Sequence, residues 1–230
     1  MTRLVFDIET VGMPFESFDG VQQQYLMKFV EQEGTLESRA RKREEIIQLL
    51  NLNATTAQVV AIGMLNVESR KGRVYYQSPE KEQWYSEDRR IEFESGSERE
   101  ILEKFWEAVR PYSQFVTFNG RGFDCPFLML RSAIHGIKPT RNLMPYRYDS
   151  KIHCDLLDQL TFYGAVRKFN LDFCCKAFAI ESPKSHGITG LDVGTLFAQG
   201  KHRDIALYCF DDVRATAELY QRWKEFLSFE

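Results

Sequence analysis

The sequence predicts an α/β fold, a mixed sheet of five strands with helices on both faces, and three observations lead there. Residues 3–9 alternate, with Leu4, Phe6 and Ile8 on one side and Val5, Asp7 and Glu9 on the other, which is the period of a strand. Both sides begin apolar, which places this strand inside the sheet. The segments then run helical insertion, two strands, helix, strand, helix and further helices, an order that layers helices over a mixed sheet. At 230 residues the chain suits one domain, 1–230, with a large insertion.

The insertion, at about 14–56, is charged and helix-prone. Its apolar pairs Tyr25/Leu26, Phe29/Val30, Ile46/Ile47 and Leu49/Leu50 predict two amphipathic helices. The run Arg39-Ala40-Arg41-Lys42-Arg43 reads as a solvated helix face first and a phosphate patch second. Strands follow at 59–67 and 73–77 around the turn Ser69-Arg70-Lys71-Gly72, then a charged loop. A helix is expected over 98–109, stopped by Pro111, then a short buried strand at 114–118 and a turn at Gly120-Arg121-Gly122. Pro126 suits the first position of a helix reaching Ile134. Beyond a loop at 136–151, a strand at 152–154 precedes helices at 156–162, 171–178, 193–198 and 203–226.

Thirty Lys and Arg against 33 Asp and Glu give a net charge of -3, which excludes a protein that coats nucleic acid by charge alone. Five cysteines (Cys125, Cys154, Cys174, Cys175 and Cys209), without CxxC spacing, fit free thiols in a reducing compartment. No apolar run is long enough for a membrane span, and the N-terminus carries no secretory pattern, so the expected location is cytoplasmic.

Three groups of residues carry chemistry. Asp7 and Glu9 are carboxylates on one strand face, and acids so placed are costly without a cation. Asp124 follows Asn119-Gly120-Arg121-Gly122-Phe123 at or just before a helix N-cap, where Asp is favoured with or without a site. On the last helix Ile205, Tyr208, Asp212, Thr216, Leu219, Trp223 and Phe226 recur at spacings of three and four, which sets Asp212 on the core-facing stripe with Tyr208 one turn before it. Tyr208 alone reads equally as a core aromatic. Asp211 is a competitor for the role of Asp212, but the stripe selects Asp212.

Together, Phe6-Asp7-Ile8-Glu9-Thr10, Asn119-x3-Phe123-Asp124-x-Pro126-x-Leu128 and Tyr208-x3-Asp212 resemble, in order, the three motifs of the DEDD superfamily of 3′–5′ exonucleases. The nearest likeness is the proofreading exonuclease domain of family B DNA polymerases and its stand-alone relatives. Leu207 stands where the histidine branch has His, which indicates the tyrosine branch. The resemblance implies a ribonuclease H-like fold that presents Asp7, Glu9, Asp124 and Asp212 to two divalent metals. Hard oxygen ligands suit Mg²⁺ or Mn²⁺. In the family pattern Asp7 bridges both metals, Glu9 and Asp212 hold the one that activates water, Asp124 supports the other through water, and Tyr208 orients the nucleophilic water and can share in its deprotonation. Thr10, Asn119 and Phe123 are expected at the 3′-terminal nucleotide, although Phe123 reads equally as core. Asp155 reads first as a helix N-cap. Lys184 and the pair Lys201/Arg203 read as solvated surface first and phosphate contacts second.

The expected activity is metal-dependent 3′–5′ hydrolysis of single-stranded ends, with DNA the first choice and RNA the alternative, since nothing visible reads a 2′-hydroxyl. The partner is therefore single-stranded nucleic acid, with no membrane. A rival of another class is an inactive nucleic-acid-binding module with the same fold. Such a module has no need of an acidic cluster that repels phosphate.

Overall fold

The computed structural model describes residues 2–182 and 189–229, so Lys184 lies outside the described residues. The strands are β1 (Arg3–Gly12), β2 (Ala57–Asn66), β3 (Gly72–Gln77), β4 (Gln83–Tyr85), β5 (Ile91–Gly96), β6 (Gln114–Thr117) and β7 (His153–Asp155). The helices are α1 (Gly20–Met27), α2 (Leu36–Leu49), α3 (Glu98–Ala108), α4 (Asp124–Ile134), α5 (Leu156–Leu160), α6 (Leu171–Ala177), α7 (Val193–Ala198) and α8 (His202–Phe226).

The alternation of β1 feeds two cores. Leu4, Phe6 and Ile8 pack with Ile101, Phe105 and Trp106 of α3 and Leu128 of α4, whereas Val5 joins Cys209, Val213 and Leu219 of α8 on the opposite face. Helices therefore cover both sides of the sheet, as the pattern required. Strand order is β4-β5-β3-β2-β1-β6-β7. β1 runs antiparallel to β2 and parallel to β6, and β7 continues the parallel side.

The sheet has seven strands where the sequence suggested five. The two additions, β4 and β5, lie in the segment read as a charged loop. Ile91, Phe93 and Ser95 are buried while Glu92 and Glu94 stay half-buried, so β5 is a half-buried strand whose glutamates masked its period. Trp84 of β4 stacks on Phe93 at 3.8 Å between ring centroids.

The insertion does form two helices, each opened by a capping box, Asp19 with Gln22 and Thr35 with Ser38. Phe29 and Val30 fall beyond the end of α1, and neither helix buries a residue fully. Only Phe15, Phe18 and Leu50 form a small core there. The excursion leaves the sheet at Gly12 and returns at Ala57, which are register partners. Two side-chain bonds secure it: the Thr10 hydroxyl donates to Asn51 O at 2.8 Å, and Arg131 donates to Ala54 O at 3.1 Å. Arg131 is itself buried in an ion pair with Glu98 at 2.6 Å. The five cysteines are free thiols, and no described helix is long and apolar enough to cross a membrane.

Candidate active site

Asp7 and Glu9 leave β1 on the face that α8 covers. A glycine decides how closely α8 approaches. Gly63 pairs with Asp7 in the register, and a Cβ there would lie 2.8 Å from Val213 Cγ2 and 3.1 Å from Cys209 Sγ. Its bare backbone lets α8 settle on the sheet beside Asp7, where the Cys209 thiol reaches Asp7 O at 3.6 Å. The β1–β2 register slips between Glu9 and Thr10, a bulge of the kind that re-aims side chains beside sites.

Asp124 arrives from the other side. It is the first residue of α4, and Phe123 holds the N-cap position without a side-chain cap bond. The carboxylate accepts from its own backbone amide at the start of the helix, and its Oδ1 also accepts from the Ile8 amide at 3.0 Å. Pro126 thus lies at the third helical position rather than the first, where its missing N–H still costs no intrahelical bond.

The four carboxylates act on one another. Burial pushes the Asp7 carboxyl well above the usual carboxylate range, and the charges of Asp124, Asp212 and Glu9 add to it. Glu9 is raised by burial, then by Asp212 and Asp124. Burial lifts Asp124 to about 7 despite the Ile8 bond. Desolvation and like charge both disfavour ionisation, and a cation held among the carboxylates would act in the opposite direction. Asp7 and Glu9 each place an oxygen within 4.8 Å of the other and of Cys209 Sγ. The thiol is pushed up by burial and these acids, so it stays protonated and is a poor ligand beside them.

A cavity of about 160 Å³ opens over this cluster, lined by Asp7, Phe118, Asn170, Leu171, Asp172, Tyr208 and Asp212. Glu9 and Asp124 are buried beside it. The Tyr208 hydroxyl donates to Asp212, and burial together with Asp212, Glu9 and Asp7 raises it far above its ordinary value. Asp211 accepts from Arg214 at 3.2 Å and does not line the cavity, whereas Asp212 does. Phe226, placed on the same stripe, is exposed because it ends the helix.

The three residues expected at the terminal nucleotide do not line the cavity. Thr10 turns to the insertion, Phe123 packs on Phe127 at 5.4 Å, and Asn119 is exposed with a φ of 63°. Asp155 caps α5 through Leu157 N at 3.0 Å, as read, and also binds the amides of Asn119 and Arg121, each at 2.9 Å. Arg203 is engaged by Glu82, with Nε at 2.9 Å, and lies over the Trp84 ring. Lys201 is exposed just ahead of α8. Sequence reading missed Asn170 and Asp172, whose signal was only the N-cap preference at Asn170.

Among solved structures, the chain matches the family B DNA polymerase from the hyperthermophilic archaeon Pyrobaculum calidifontis with a TM-score of 0.62 and 18% identity. The match covers 98% of this chain and 25% of the polymerase, so the chain spans about a quarter of that protein's length. That likeness establishes the ribonuclease H-like fold. No curated protein matches the sequence. A family model described as a predicted 3′-5′ exonuclease related to the exonuclease domain of PolB matches residues 51–228. The match takes in the segments that supply Asp124, Tyr208 and Asp212 and spans well over half the chain, which therefore belongs to the family of PolB-related 3′–5′ exonuclease domains.

Proposed function

We propose that residues 1–230 act as one metal-dependent 3′–5′ exonuclease domain that hydrolyses single-stranded DNA ends to nucleoside monophosphates in the cytoplasm. The observation that carries this reading is the mutual electrostatic coupling of Asp7, Glu9, Asp124 and Asp212 beneath a cavity that Tyr208 also lines. Clustered carboxylate oxygens are hard donors that fit divalent ions, and Asp7, Glu9, Asp124 and Asp212 are the residues that would hold two of them as Mg²⁺ or Mn²⁺. Such ions supply charge compensation for the attacking and leaving oxygens of the phosphodiester.

The chain's own contribution is positioning. Asp124 is held by the Ile8 amide and by its own backbone amide, which fixes the carboxylate beside the other acids. Tyr208 keeps its proton at neutral pH, so it donates a hydrogen bond to Asp212, and its oxygen is left to accept from and orient the nucleophilic water rather than to act as a base. Phe118 and Leu171 give the cavity apolar walls that exclude bulk water from the reacting end.

Purified protein incubated with 3′- or 5′-labelled DNA and RNA strands in Mg²⁺, Mn²⁺ or EDTA tests all parts together. Stepwise shortening from the 3′ end of DNA, abolished by EDTA, is expected. Preference for RNA would change the substrate, and binding without cleavage would make the chain a nucleic-acid-binding module.

A further inference from the structure

In the segments between α4 and α6 and in α6 itself, on either side of β7 and α5, aromatic side chains face solvent instead of a core. Tyr146 and Phe162 are 74% and 62% exposed, and Tyr148, Phe169 and Phe173 are exposed as well. Most of these rings pack in two groups. Phe169 and Phe173 stack at 4.2 Å with planes 10° apart, and Tyr148 lies 5.5 Å from Tyr146 and 4.6 Å from Tyr163. The first pair flanks Asn170, Leu171 and Asp172, which line the cavity.

The surface is built to stay open. The segment carrying Tyr146 and Tyr148 is pinned by Arg121 to Pro145 O at 2.9 Å, by Arg147 to Asp158 at 2.6 Å and by Gln114 to Ser150 O at 2.6 Å. Phe162 and Tyr163 hold successive φ values of 48° and 58°, a conformation that side chains adopt only when surroundings enforce it. The Gln159 amide donates to the Tyr163 hydroxyl at 2.8 Å and helps fix that ring. Cations accompany the rings. Arg167 lies over Phe169 at 5.1 Å, Lys168 is next to it, and neither has an ion-pair partner among the described residues.

We propose that this surface is the track on which a single strand lies upstream of its 3′ end, with bases stacking on the rings about Tyr148 and Phe169 and phosphates meeting Arg167 and Lys168. Exposed rings interleaved with unpaired cations are complementary to single-stranded nucleic acid, because every base offers a π-face and every linkage a negative charge. The inference rests on the exonuclease reading and adds to it where the strand runs.

The test is fluorescence anisotropy in Mg²⁺ with a 5′-fluorescein oligothymidylate of twelve residues whose 3′-terminal linkages are phosphorothioates. The Tyr148→Ala/Phe169→Ala variant should bind about tenfold more weakly or worse, while its affinity for an abasic strand of the same length stays at the wild-type value. Arg167→Ala should weaken both strands and flatten the dependence on salt. Phe169→Leu, which keeps apolar bulk, guards against misfolding and should still lose affinity for the base-bearing strand. Wild-type affinity in the double variant, or an equal loss on the abasic strand, would overturn the track. So would a concentration-dependent dimer that the same substitutions dissolve, because a second copy would then be the occupant. Cleavage by the wild type with unchanged binding in the variants defeats the track alone, whereas ring-dependent binding without cleavage defeats the nuclease reading alone.

Discussion

The amide of Ile8 donates to Oδ1 of Asp124 at 3.0 Å, so the residue between the first two acids of the site holds the third. The bond spans 116 positions of sequence and joins β1 to the start of α4. It separates two substitutions that would otherwise look alike. Asp124→Asn keeps an acceptor for Ile8 and removes a charge from a crowded cluster, so the metal-free protein should be at least as stable as wild type and inactive. Asp124→Ala strands a buried N–H at a cost of ~1–3 kcal/mol and should melt below Asp124→Asn. Equal melting of the two variants in EDTA would show that the bond is idle.

Tyr208→Phe removes one hydroxyl and keeps the ring in its buried place. Turnover at saturating substrate should fall ~10²–10⁴-fold if the hydroxyl positions the water, while the affinity for strand and metal holds. A silent substitution would reduce Tyr208 to packing.

The raised carboxyls make a pH-dependent signature. A carboxyl whose folded value stands above its unfolded one keeps its proton longer in the fold, so the stability it adds is complete below about pH 4 and lost as pH rises through the folded value. For Asp124 that value is about 7, and Asp7 and Glu9 are displaced in the same direction. In EDTA, Asp124→Asn should therefore gain on wild type between pH 5 and pH 8. Buried His153, lowered to about 4, is common to both proteins and cancels in the difference. Melting curves that stay parallel across this range would refute the coupling, and added Mg²⁺ should close the gap by stabilising the wild type.

Gly63→Ala tests how the helix is seated. The new methyl would fall 2.8 Å from Val213 and 3.1 Å from Cys209, and these are packed side chains with nowhere to go. A loss of ~1–3 kcal/mol in stability is expected, with a fall in turnover as Tyr208 and Asp212 move from Asp7. Pairing it with Val213→Ala should restore part of both. Wild-type behaviour of Gly63→Ala would mean that α8 is not held by this contact.

Much of this arrangement was legible in the chain because both periodicities survive where the site is built. Alternation in β1 put Asp7 and Glu9 on one face, and the helical stripe put Tyr208 and Asp212 on the side that meets them. Asp124 was read at or just before the N-cap but stands one place past it, after Phe123, and binds the Ile8 amide, since the preference of Asp for helix starts is the same whether it caps the helix or reaches across to a strand. β5 was hidden because its solvent-facing positions are glutamates and the segment's charge outweighed its period. Asn170 and Asp172 carried no sign of the cavity, because α6 is seated by tertiary packing, with Leu171 and Cys175 joining the core that α8 shares, rather than by any local pattern.

Gly12 and Ala57 face each other across the β1–β2 ladder, so the helical excursion between them begins and ends at one point in space. A chain that returns to its own starting place imposes no geometry on what lies beyond it: the ladder from Thr10 to Leu4 would close the same way around a short turn. The excursion is in this sense a detachable appendage, and its length can change while the spacing of Asp7 and Glu9 stays untouched. Thr10 and Gly12 are where it is fastened. The Thr10 hydroxyl holds Asn51 O, and Gly12 lies so close to Leu50 that a Cβ there would sit 3.1 Å from the Leu50 Cβ. Any movement of the appendage is thus delivered to the strand within a few residues of the acids.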